Sequence, residues 1–507
     1  MRYKRIMSLI ILMVSLLVVS TVSAADNNTN DILMADNDNQ TIIEKNNDVG
    51  TFTALANEIA NANGELNLTK NYTYVDEDSG YKSGIKIDKT IKINGNGFTI
   101  NGDFQARIFN IAASNVVLNN ICFEKAFTSN RGGAVLWSGE NGVLTSCCFV
   151  NCSGYGSGSS SGSIFGGAVY WSGANGTLVN SSFVNSSSYS SGYRGYGGAV
   201  YWFGDSGYLF NCVFVNSSSG FSYRGYGGAV YWLGANGTLD NCYFVNSSSY
   251  AVGGAVYWNV DCGVLANCCF VNSSSYDGGA VYWNCAYGTL FNCSFVNSSS
   301  CYDGGAIFIY SSYNHVNNCD FINCFSGRYG GGICFEDSDC SLINSSFKGN
   351  TALSGPDWYC ILPIDVINVT TDKILTVLSA SDINTTYGVS KRLILTLKDV
   401  NNNFLVGKQI SIKLKNVKYT LETNSKGKAS LAIPTNLPSG TYIATISYGG
   451  NSEYESSSTV ANVIVNSLDI DISAVYKASN SEILSTLKMV LLERLLLGLM
   501  FRLKLMA

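Results

Sequence analysis

Acidic side chains are the residues of this sequence whose types and spacing come closest to a catalytic arrangement. Asp277 and Asp303 precede Gly-Gly pairs in successive repeats, and Glu336, Asp337 and Asp339 form a short acidic run. Polysaccharide lyases and glycoside hydrolases use clustered carboxylates, alone or with calcium and a basic residue. Because no Arg, Lys or His recurs beside these acids in the sequence, we predict no catalytic residues and a protein that is not an enzyme.

Cysteine and histidine do not have the spacing of a metal site. The sequence contains 17 Cys and 1 His, and no Cys-x-x-Cys pair. One recurring position holds Cys147, Cys212, Cys242, Cys268, Cys293 and Cys319, with Ser181 and Ser345 as alternatives. This exchange predicts a small, buried side chain, so we expect mostly free thiols, no metal site and no cofactor. We expect His315 to lie in a solvent-facing loop.

Adjacent tyrosine and tryptophan residues recur along the chain and are the candidate binding residues. The tryptophans are Trp137, Trp171, Trp202, Trp232, Trp258 and Trp283, and all but the first follow a tyrosine. Neighbouring residues of a strand face opposite sides, so one of the two series must point outward. A stack of exposed rings would bind sugar rings or a partner protein, and we predict the tryptophans as that ladder. The alternatives are that the tyrosines face outward, or that a loop covers the outer series.

Internal repeats predict the fold. The string GGAV or a near copy begins at eight positions, and a phenylalanine follows each one after 17 residues, from Gly132 and Phe149 to Gly330 and Phe347. Repeats of about 25 residues with alternating apolar positions and no helical period are typical of the coils of a β-solenoid. We therefore predict an all-β fold, a right-handed parallel β-helix with an asparagine ladder at one corner, followed by a β-sandwich.

Asparagine also forms candidate glycosylation sites. Asn175 and Asn236 each begin an Asn-Gly-Thr sequence at a predicted turn. An aligned second series, each followed by Ser-Ser, comprises Asn185, Asn216, Asn246, Asn272 and Asn297. This second series has two interpretations: the asparagines carry glycans, or they form an inward amide ladder that is inaccessible. Asn175 and Asn236 are the better glycan acceptors.

The N-terminus predicts export. Arg2, Lys4 and Arg5 precede an apolar run that ends in Val22-Ser23-Ala24-Ala25, the pattern of a cleaved signal peptide over residues 1–24. An Asn-rich disordered linker follows over residues 25–50, and we expect no stable transmembrane segment after cleavage. The net charge of −5 comes without a basic cluster in the mature chain, so we predict no nucleic-acid partner.

The repeats resemble those of polymorphic outer membrane proteins, which occur in chlamydial surface proteins and in adhesin-like proteins of gut methanogenic archaea. The GGA[IV] strings and Phe347-Lys348-Gly349-Asn350 carry the resemblance, although the other copies read Phe-Val-Asn or Phe-Ile-Asn. The resemblance implies a secreted or cell-surface adhesin that binds a carbohydrate or a cell-surface protein. The alternative is a secreted polysaccharide lyase or glycoside hydrolase of the pectate-lyase-like fold.

The resemblance to these repeat proteins and a shift in composition together predict the domain boundaries. Archaeal proteins of this kind have a similar N-terminal segment, which implies a solenoid cap over residues 51–84 with a helix from Phe52 to Ala60. The β-helix is predicted over 85–362, and alternation of apolar and polar residues over 366–467 resembles bacterial Ig-like domains. Residues 468–507 are either a partial second Ig-like copy that ends in an amphipathic helix or the product of a frameshift within that copy.

Overall fold

Parallel strands stacked coil upon coil build most of this protein. The computed structural model describes residues 49–156, 162–220, 225–451 and 453–467. The predicted signal peptide, nearly all of the linker and the segment 468–507 lie outside the described residues. Four long parallel sheets form a solenoid of about twelve turns, which confirms the predicted all-β fold with a parallel β-helix.

Each sheet is named here after the ladder of side chains that it turns inward. The Phe sheet comprises Gly50–Thr51, Tyr72–Thr73, Thr99–Asn101, Cys122–Glu124, Cys148–Val150, Ser182–Val184, Val213–Val215, Tyr243–Val245, Cys269–Val271, Ser294–Val296, Asp320–Ile322 and Ser346–Lys348. The Leu sheet comprises Glu65–Asn67, Lys92–Asn94, Val117–Asn119, Val143–Thr145, Thr177–Val179, Tyr208–Phe210, Thr238–Asp240, Val264–Ala266, Thr289–Phe291, His315–Asn317, Ser341–Ile343 and Asp365–Ile367.

The two other sheets complete each coil. The Trp sheet comprises Ser83–Ile87, Arg107–Ile111, Val135–Trp137, Val169–Trp171, Val200–Trp202, Val230–Trp232, Val256–Trp258, Val281–Trp283, Ile307–Ile309, Ile333–Phe335 and Trp358–Cys360. The Ser sheet comprises Phe127–Thr128, Ser153–Gly156, Ser187–Ser190, Ser218–Ser219, Ser248–Ser249, Ser274–Ser275, Ser299–Ser300 and Phe325–Ser326. A shorter sheet, named the cover sheet, comprises Ile164–Phe165, Gly195–Tyr196 and Gly225–Tyr226.

Left-handed backbone at the corners explains the recurring asparagines and glycines. Asn180 has φ 52°, and the first glycine of one repeat, Gly197, has φ 60°. Asparagine and glycine are the residues that adopt this conformation most readily. A Cβ on the second glycine, Gly198, would lie 2.0 Å from the carbonyl oxygen of Gly228 in the next coil, so close approach of coils also requires glycine.

Side-chain amides connect the corners from coil to coil, as the sequence predicts. The Asn211 amide nitrogen donates to Asn180 Oδ1 at 2.8 Å, and the next coil repeats this hydrogen bond at 3.1 Å. The second asparagine series forms its own ladder, in which Asn216 donates to Asn185 Oδ1 at 3.1 Å. This second ladder is exposed, so the interpretation of it as inward and inaccessible is wrong.

The interior holds stacked side chains of one type per position. Phe214 and Phe244 stack with their ring centroids 4.8 Å apart, and Trp202 and Trp232 stack at 4.9 Å. Both distances match the spacing of about 4.8 Å between paired strands. A Cβ at Gly207 would lie 2.1 Å from Trp202 Nε1, so each indole fills the space that a glycine leaves open. The ladders therefore form one continuous apolar core.

A helix covers the N-terminal end of this core. It spans Phe52–Asn61, begins with a cap hydrogen bond from the Ala54 amide to Thr51 Oγ1, and buries Phe52, Leu55 and Ile59. The predicted capping helix is thereby confirmed. A short 3₁₀ segment, Asp76–Tyr81, follows. Strands of the Phe and Leu sheets occur from residue 50 and the Leu sheet continues to Ile367, so the coils extend beyond the predicted limits of 85 and 362 at both ends.

A second unit follows the last coil. Three antiparallel strands, Thr376–Ala380, Arg392–Asp399 and Lys428–Ala432, share one core with five strands, Ile383–Thr386, Gln409–Leu414, Val417–Glu422, Gly440–Tyr448 and Ser457–Asn466. The fully buried Glu455 carboxylate joins this unit to the solenoid, because it accepts hydrogen bonds from the backbone N–H of Asp357 and of Trp358. That the unit is an Ig-like domain stays a prediction.

One disulfide crosses two coils. Cys122 and Cys148 are paired residues of neighbouring strands, with Cα atoms 4.5 Å apart, and their sulfurs are bonded. The other fifteen cysteines are free, and thirteen of them are buried. Free thiols thus predominate, as the sequence predicts, although stacked coils do permit a disulfide.

Candidate functional site

The tryptophan ladder lies inside the solenoid. Trp137, Trp171, Trp202, Trp232, Trp258 and Trp283 are each 0% exposed. Their indole N–H groups are bound within the protein in several coils, as where Trp232 Nε1 donates to the Gly234 carbonyl at 2.9 Å. This corrects the prediction that the tryptophans form the binding ladder. Valine and tryptophan of each Val-Tyr-Trp strand face inward, and strand alternation leaves only the tyrosine to face outward.

The outward tyrosines are largely covered as well. Tyr170, Tyr201, Tyr231 and Tyr257 are only 7–8% exposed. Their rings stack along the axis, and the rings of the cover sheet stand edge-on against them, with centroids 5.1 Å apart for Phe165 and Tyr201. Arg131 lies over the Tyr170 ring at 5.1 Å. The alternative that a loop covers the outer ladder therefore describes this part of the solenoid.

The cover sheet ends at Tyr226. In the following coils, residues of other types occupy the position of its strands. Each residue just before a Gly-Gly pair lies in this position, and the bridges Tyr226 to Val252 and Val252 to Asp277 continue it into the next coils. Asp303 occupies the same position one coil later. Carboxylates thus replace the aromatic rings that cover the outer tyrosines in earlier coils.

A polar surface results on the outer face of the Trp sheet, named here the acidic strip. It consists of Tyr257, Asn259, Asp277, Tyr282, Asn284, Asp303, Tyr310, Arg328 and Glu336. Its floor is the continuing outward ladder, in which Tyr257 and Tyr282 stack at 5.3 Å and Tyr282 and Phe308 at 5.1 Å. Tyr257 and Phe308 are buried, and Tyr282 is half-buried. Tyr310, at its edge, is 49% exposed.

Aspartates and an arginine form one wall of the acidic strip. The Asp303 backbone N–H donates to Asp277 Oδ1 at 3.0 Å, which confirms that the two acids stack on neighbouring coils. One edge of the Arg328 guanidinium donates two hydrogen bonds to the Asp303 carboxylate, from Nε to Oδ1 at 2.8 Å and from Nη2 to Oδ2. Arg328 also lies over the Tyr329 ring at 4.9 Å. A cation therefore does accompany these acids, contrary to the inference from sequence spacing.

Amides and hydroxyls form the opposite wall. The Asn284 amide nitrogen donates to Asn259 Oδ1 at 2.6 Å and to the Tyr257 hydroxyl at 3.3 Å. Tyr310 and then Glu336 occupy the same position in the next two coils. Fixed hydrogen-bonding groups thus line both sides of a tyrosine floor, one set per coil.

Electrostatics make two of the carboxyl groups unusual. Burial, reinforced by the neighbouring Asp303 charge, raises the pKa of Asp277, although its hydrogen bond and Arg328 oppose the shift. Burial raises the pKa of Glu336 too, with further contributions from Asp303 and Asp277. The strip therefore combines one arginine-bound carboxylate with two carboxyl groups that hold protons more readily than usual.

The other residues that the sequence analysis names lie outside the acidic strip. His315 is exposed, but it lies on a strand of the Leu sheet and its Nδ1 pairs with Ser341 Oγ at 2.8 Å, so its assignment to a loop is wrong. Asp337 and Asp339 bond Ser338 within a turn, apart from Glu336. Asn175 and Asn236 are exposed at left-handed turns.

Within the described ranges, no group of three or more His, Cys, Asp or Glu side chains converges as the ligands of one metal ion do. In the same part of the chain, no helix has the length and hydropathy needed to cross a membrane.

Comparisons with known proteins give limited information. No family model matches the chain, and no curated protein is similar to it. Among solved structures, a double mutant of the tailspike protein of E. coli bacteriophage HK620 is 13% identical, with a TM-score of 0.26 and coverage of 81% of this chain and 88% of that one. A single mutant of the same tailspike, in complex with a pentasaccharide, is 12% identical, with a TM-score of 0.25 and the same coverage. Similarity this low assigns no function.

Proposed function

We propose that this chain is a secreted or cell-surface, adhesin-like protein that binds glycans through the acidic strip. The observation that carries the proposal is the strip itself, in which the exposed Tyr310, Arg328 and Glu336 lie along a carboxylate wall and an amide wall. The predicted signal peptide and the resemblance of the repeats to those of surface proteins support the location.

Each part of the strip matches a feature of a sugar chain. Tyrosine faces pack against the apolar faces of sugar rings, and carboxylates and amides bond hydroxyl groups in fixed directions. The groups recur once per coil, so a ligand that is itself a chain of repeating units can contact several coils. Its affinity then comes from many modest contacts rather than from one deep pocket.

The charge of the strip limits the ligand class. Asp277, Asp303 and Glu336 face a single arginine, which Asp303 already binds. An acidic polysaccharide would be repelled by the remaining carboxylates. We therefore propose neutral or amino-bearing glycans as the ligands.

A second candidate function is glycoside hydrolysis, and a specific observation favours it. Retaining and inverting glycosidases need one carboxyl group that carries a proton and one that is ionised. Asp277 and Glu336 have raised pKa values, and the Asp303 carboxylate is bound to Arg328. Under this alternative, Glu336 or Asp277 would protonate the leaving oxygen.

A glycan array combined with a depolymerisation screen tests both functions on the chain from Asp26 onward. We expect binding without product formation, reduced at least about tenfold in Tyr310→Ala and in Asp277→Asn/Glu336→Gln. Matched controls are Tyr208→Ala and Asp320→Asn, which change exposed residues on the outer faces of the Leu and Phe sheets.

The outcomes separate the two functions. Binding that survives every strip variant would place the ligand on another surface and contradict the proposal. Release of smaller products by the wild type, lost in Glu336→Gln, would establish the hydrolase instead.

A further inference from the structure

Five consecutive coils place a thiol at the same point inside the solenoid. Cys212, Cys242, Cys268, Cys293 and Cys319 each follow a left-handed asparagine at the corner between the Leu and Phe sheets. All five are buried, at 0–2% exposure. They are named here the thiol ladder, and neither the fold nor the proposed function accounts for them.

The five thiols share one orientation. Each Sγ lies near the carbonyl oxygen two residues earlier and near that of a leucine in the preceding coil. For Cys242 these distances are 3.2 and 3.9 Å, and for Cys293 they are 3.3 and 3.7 Å. Because the same two carbonyl groups lie beside each sulfur, we expect the sulfurs to repeat along the axis with the spacing of paired strands, about 4.8 Å.

Neighbouring members of the thiol ladder are also in direct contact. The Cys242 backbone N–H donates to Cys268 Sγ, in the next coil, at 3.4 Å.

This spacing suits a two-coordinate metal ion. Metal–thiolate bonds of about 2.3 Å, the length found for zinc, place two sulfurs about 4.6 Å apart when the three atoms are collinear. We propose that the thiol ladder binds soft, closed-shell metal ions of the Cu(I), Ag(I) and Hg(II) class, each held between sulfurs of adjacent coils. Thiolates select such ions over magnesium or calcium, and two ligands suffice for them.

The proton and charge balance favours one member of this class. Each ion forms two metal–sulfur bonds and displaces two thiol protons to solvent, with no change in oxidation state. Hg(II) leaves a neutral centre, whereas Cu(I) or Ag(I) leaves one negative charge in an apolar core, which is costly to bury. We therefore expect Hg(II) to bind most tightly, and five thiols to hold two ions as two separate pairs.

The chain provides its own matched variants. Ser181 and Ser345 occupy the same slot at the two ends of the thiol ladder, so serine fits there. Cys242→Ser/Cys293→Ser leaves no two adjacent thiols in the ladder. Cys152→Ser/Cys324→Ser removes an equal number of buried thiols that lie in another slot, next to Ser186 and Ser298 in neighbouring coils.

The experiment measures bound metal in the full chain from Asp26 onward. Cys262 and Cys301, the exposed free cysteines, are replaced by serine throughout to remove surface binding. Each protein is refolded anaerobically with Ag(I) or Hg(II), passed through a column with a competing thiol, and analysed by native mass spectrometry. Circular dichroism verifies that every variant is folded.

We expect the background protein and Cys152→Ser/Cys324→Ser to retain two more ions per chain than Cys242→Ser/Cys293→Ser retains. Because the thiol ladder is wholly buried, native protein should load much more slowly than refolding protein. Equal retention in all three proteins, no retention in any, or a loss of 2 Da per cysteine pair without metal would overturn the proposal. Glycan binding is independent of this result.

Discussion

Two stretches of the same outer face of the Trp sheet differ in what lies over their tyrosines. From Tyr170 to Tyr231, the rings of the cover sheet stand against the tyrosine ladder and leave it 7–8% exposed. Beside Tyr282 and Phe308, the carboxylates of Asp277 and Asp303 occupy the covering position; Tyr282 is half-buried and Phe308 is 6% exposed. The backbone register of the two stretches is the same.

Loop length accounts for the difference. From the repeat phenylalanine to the next Gly-Gly pair, the chain runs 17, 14 and 13 residues in the coils that carry a cover strand and 8 or 9 in the later ones. Only the longer loops have enough residues to add an extra strand outside the coil. A repeat solenoid thus holds its core constant and changes its surface through one variable loop.

The largest expected effect is a difference in stability loss between substitutions on the inner and outer faces of the Trp sheet. Trp202→Ala should lower the free energy of unfolding by about 3–5 kcal/mol, because it opens a cavity in a stacked ladder. Tyr201→Ala, on the adjacent outward residue, should cost about half as much, since its ring belongs to a small outer cluster and not to the continuous core. Urea denaturation followed by fluorescence measures both free energies of unfolding. Equal losses would contradict the assignment of Trp202 to the inner face and Tyr201 to the outer face.

The next largest effect on stability is expected where the cover sheet lies over the tyrosine ladder. Tyr196→Ala removes a ring that packs edge-on against Tyr201 and Tyr231, at 6.2 and 5.0 Å. We expect a loss of about 2 kcal/mol and increased binding of a hydrophobic dye by the newly exposed tyrosines. If dye binding does not change, the cover sheet is not what shields the ladder.

A smaller effect is expected in the acidic strip. Asp303→Asn keeps the shape of the side chain but weakens its bonds to Arg328. Because the arginine side chain is half exposed and water can replace the lost contacts, we expect a loss of about 1 kcal/mol. Arg328→Gln should give a similar value in the same urea assay. A loss above about 3 kcal/mol in either variant would show that the pair belongs to the core.

The smallest effect is a pH dependence confined to the acidic strip. Carboxyl groups with raised folded-state pKa values, Asp277 and Glu336, stabilise the fold most below their ordinary pKa and lose that contribution as pH rises through the folded value. Between pH 4.5 and 8, the melting temperature of the wild type should fall by about 1–2 °C relative to Asp277→Asn/Glu336→Gln. A rise in the melting temperature of the wild type relative to the variant would contradict the raised pKa values of these two carboxyl groups.

Periodicity predicts most of this fold but little of the site. The Gly-Gly-to-Phe interval fixes the register, so the Phe, Leu and asparagine ladders and the Asp277–Asp303 stack follow from the sequence. Alternation predicts that Tyr and Trp face opposite sides without saying which faces inward; the glycine five residues after each tryptophan, which makes room for an indole, was the available signal. Arg328 was missed because it approaches Asp303 from the next coil.

Binding of one array-selected glycan to wild type and to Asp277→Tyr/Asp303→Tyr tests the central claim most directly. These substitutions put rings where the covered coils carry Phe165, Tyr196 and Tyr226, and so should remove the carboxylate wall of the strip while the core is unchanged. We predict at least a tenfold weaker Kd by calorimetry, with the melting temperature within about 3 °C of the wild type. An unchanged Kd in the folded variant would contradict the claim that the acidic strip is the glycan-binding surface.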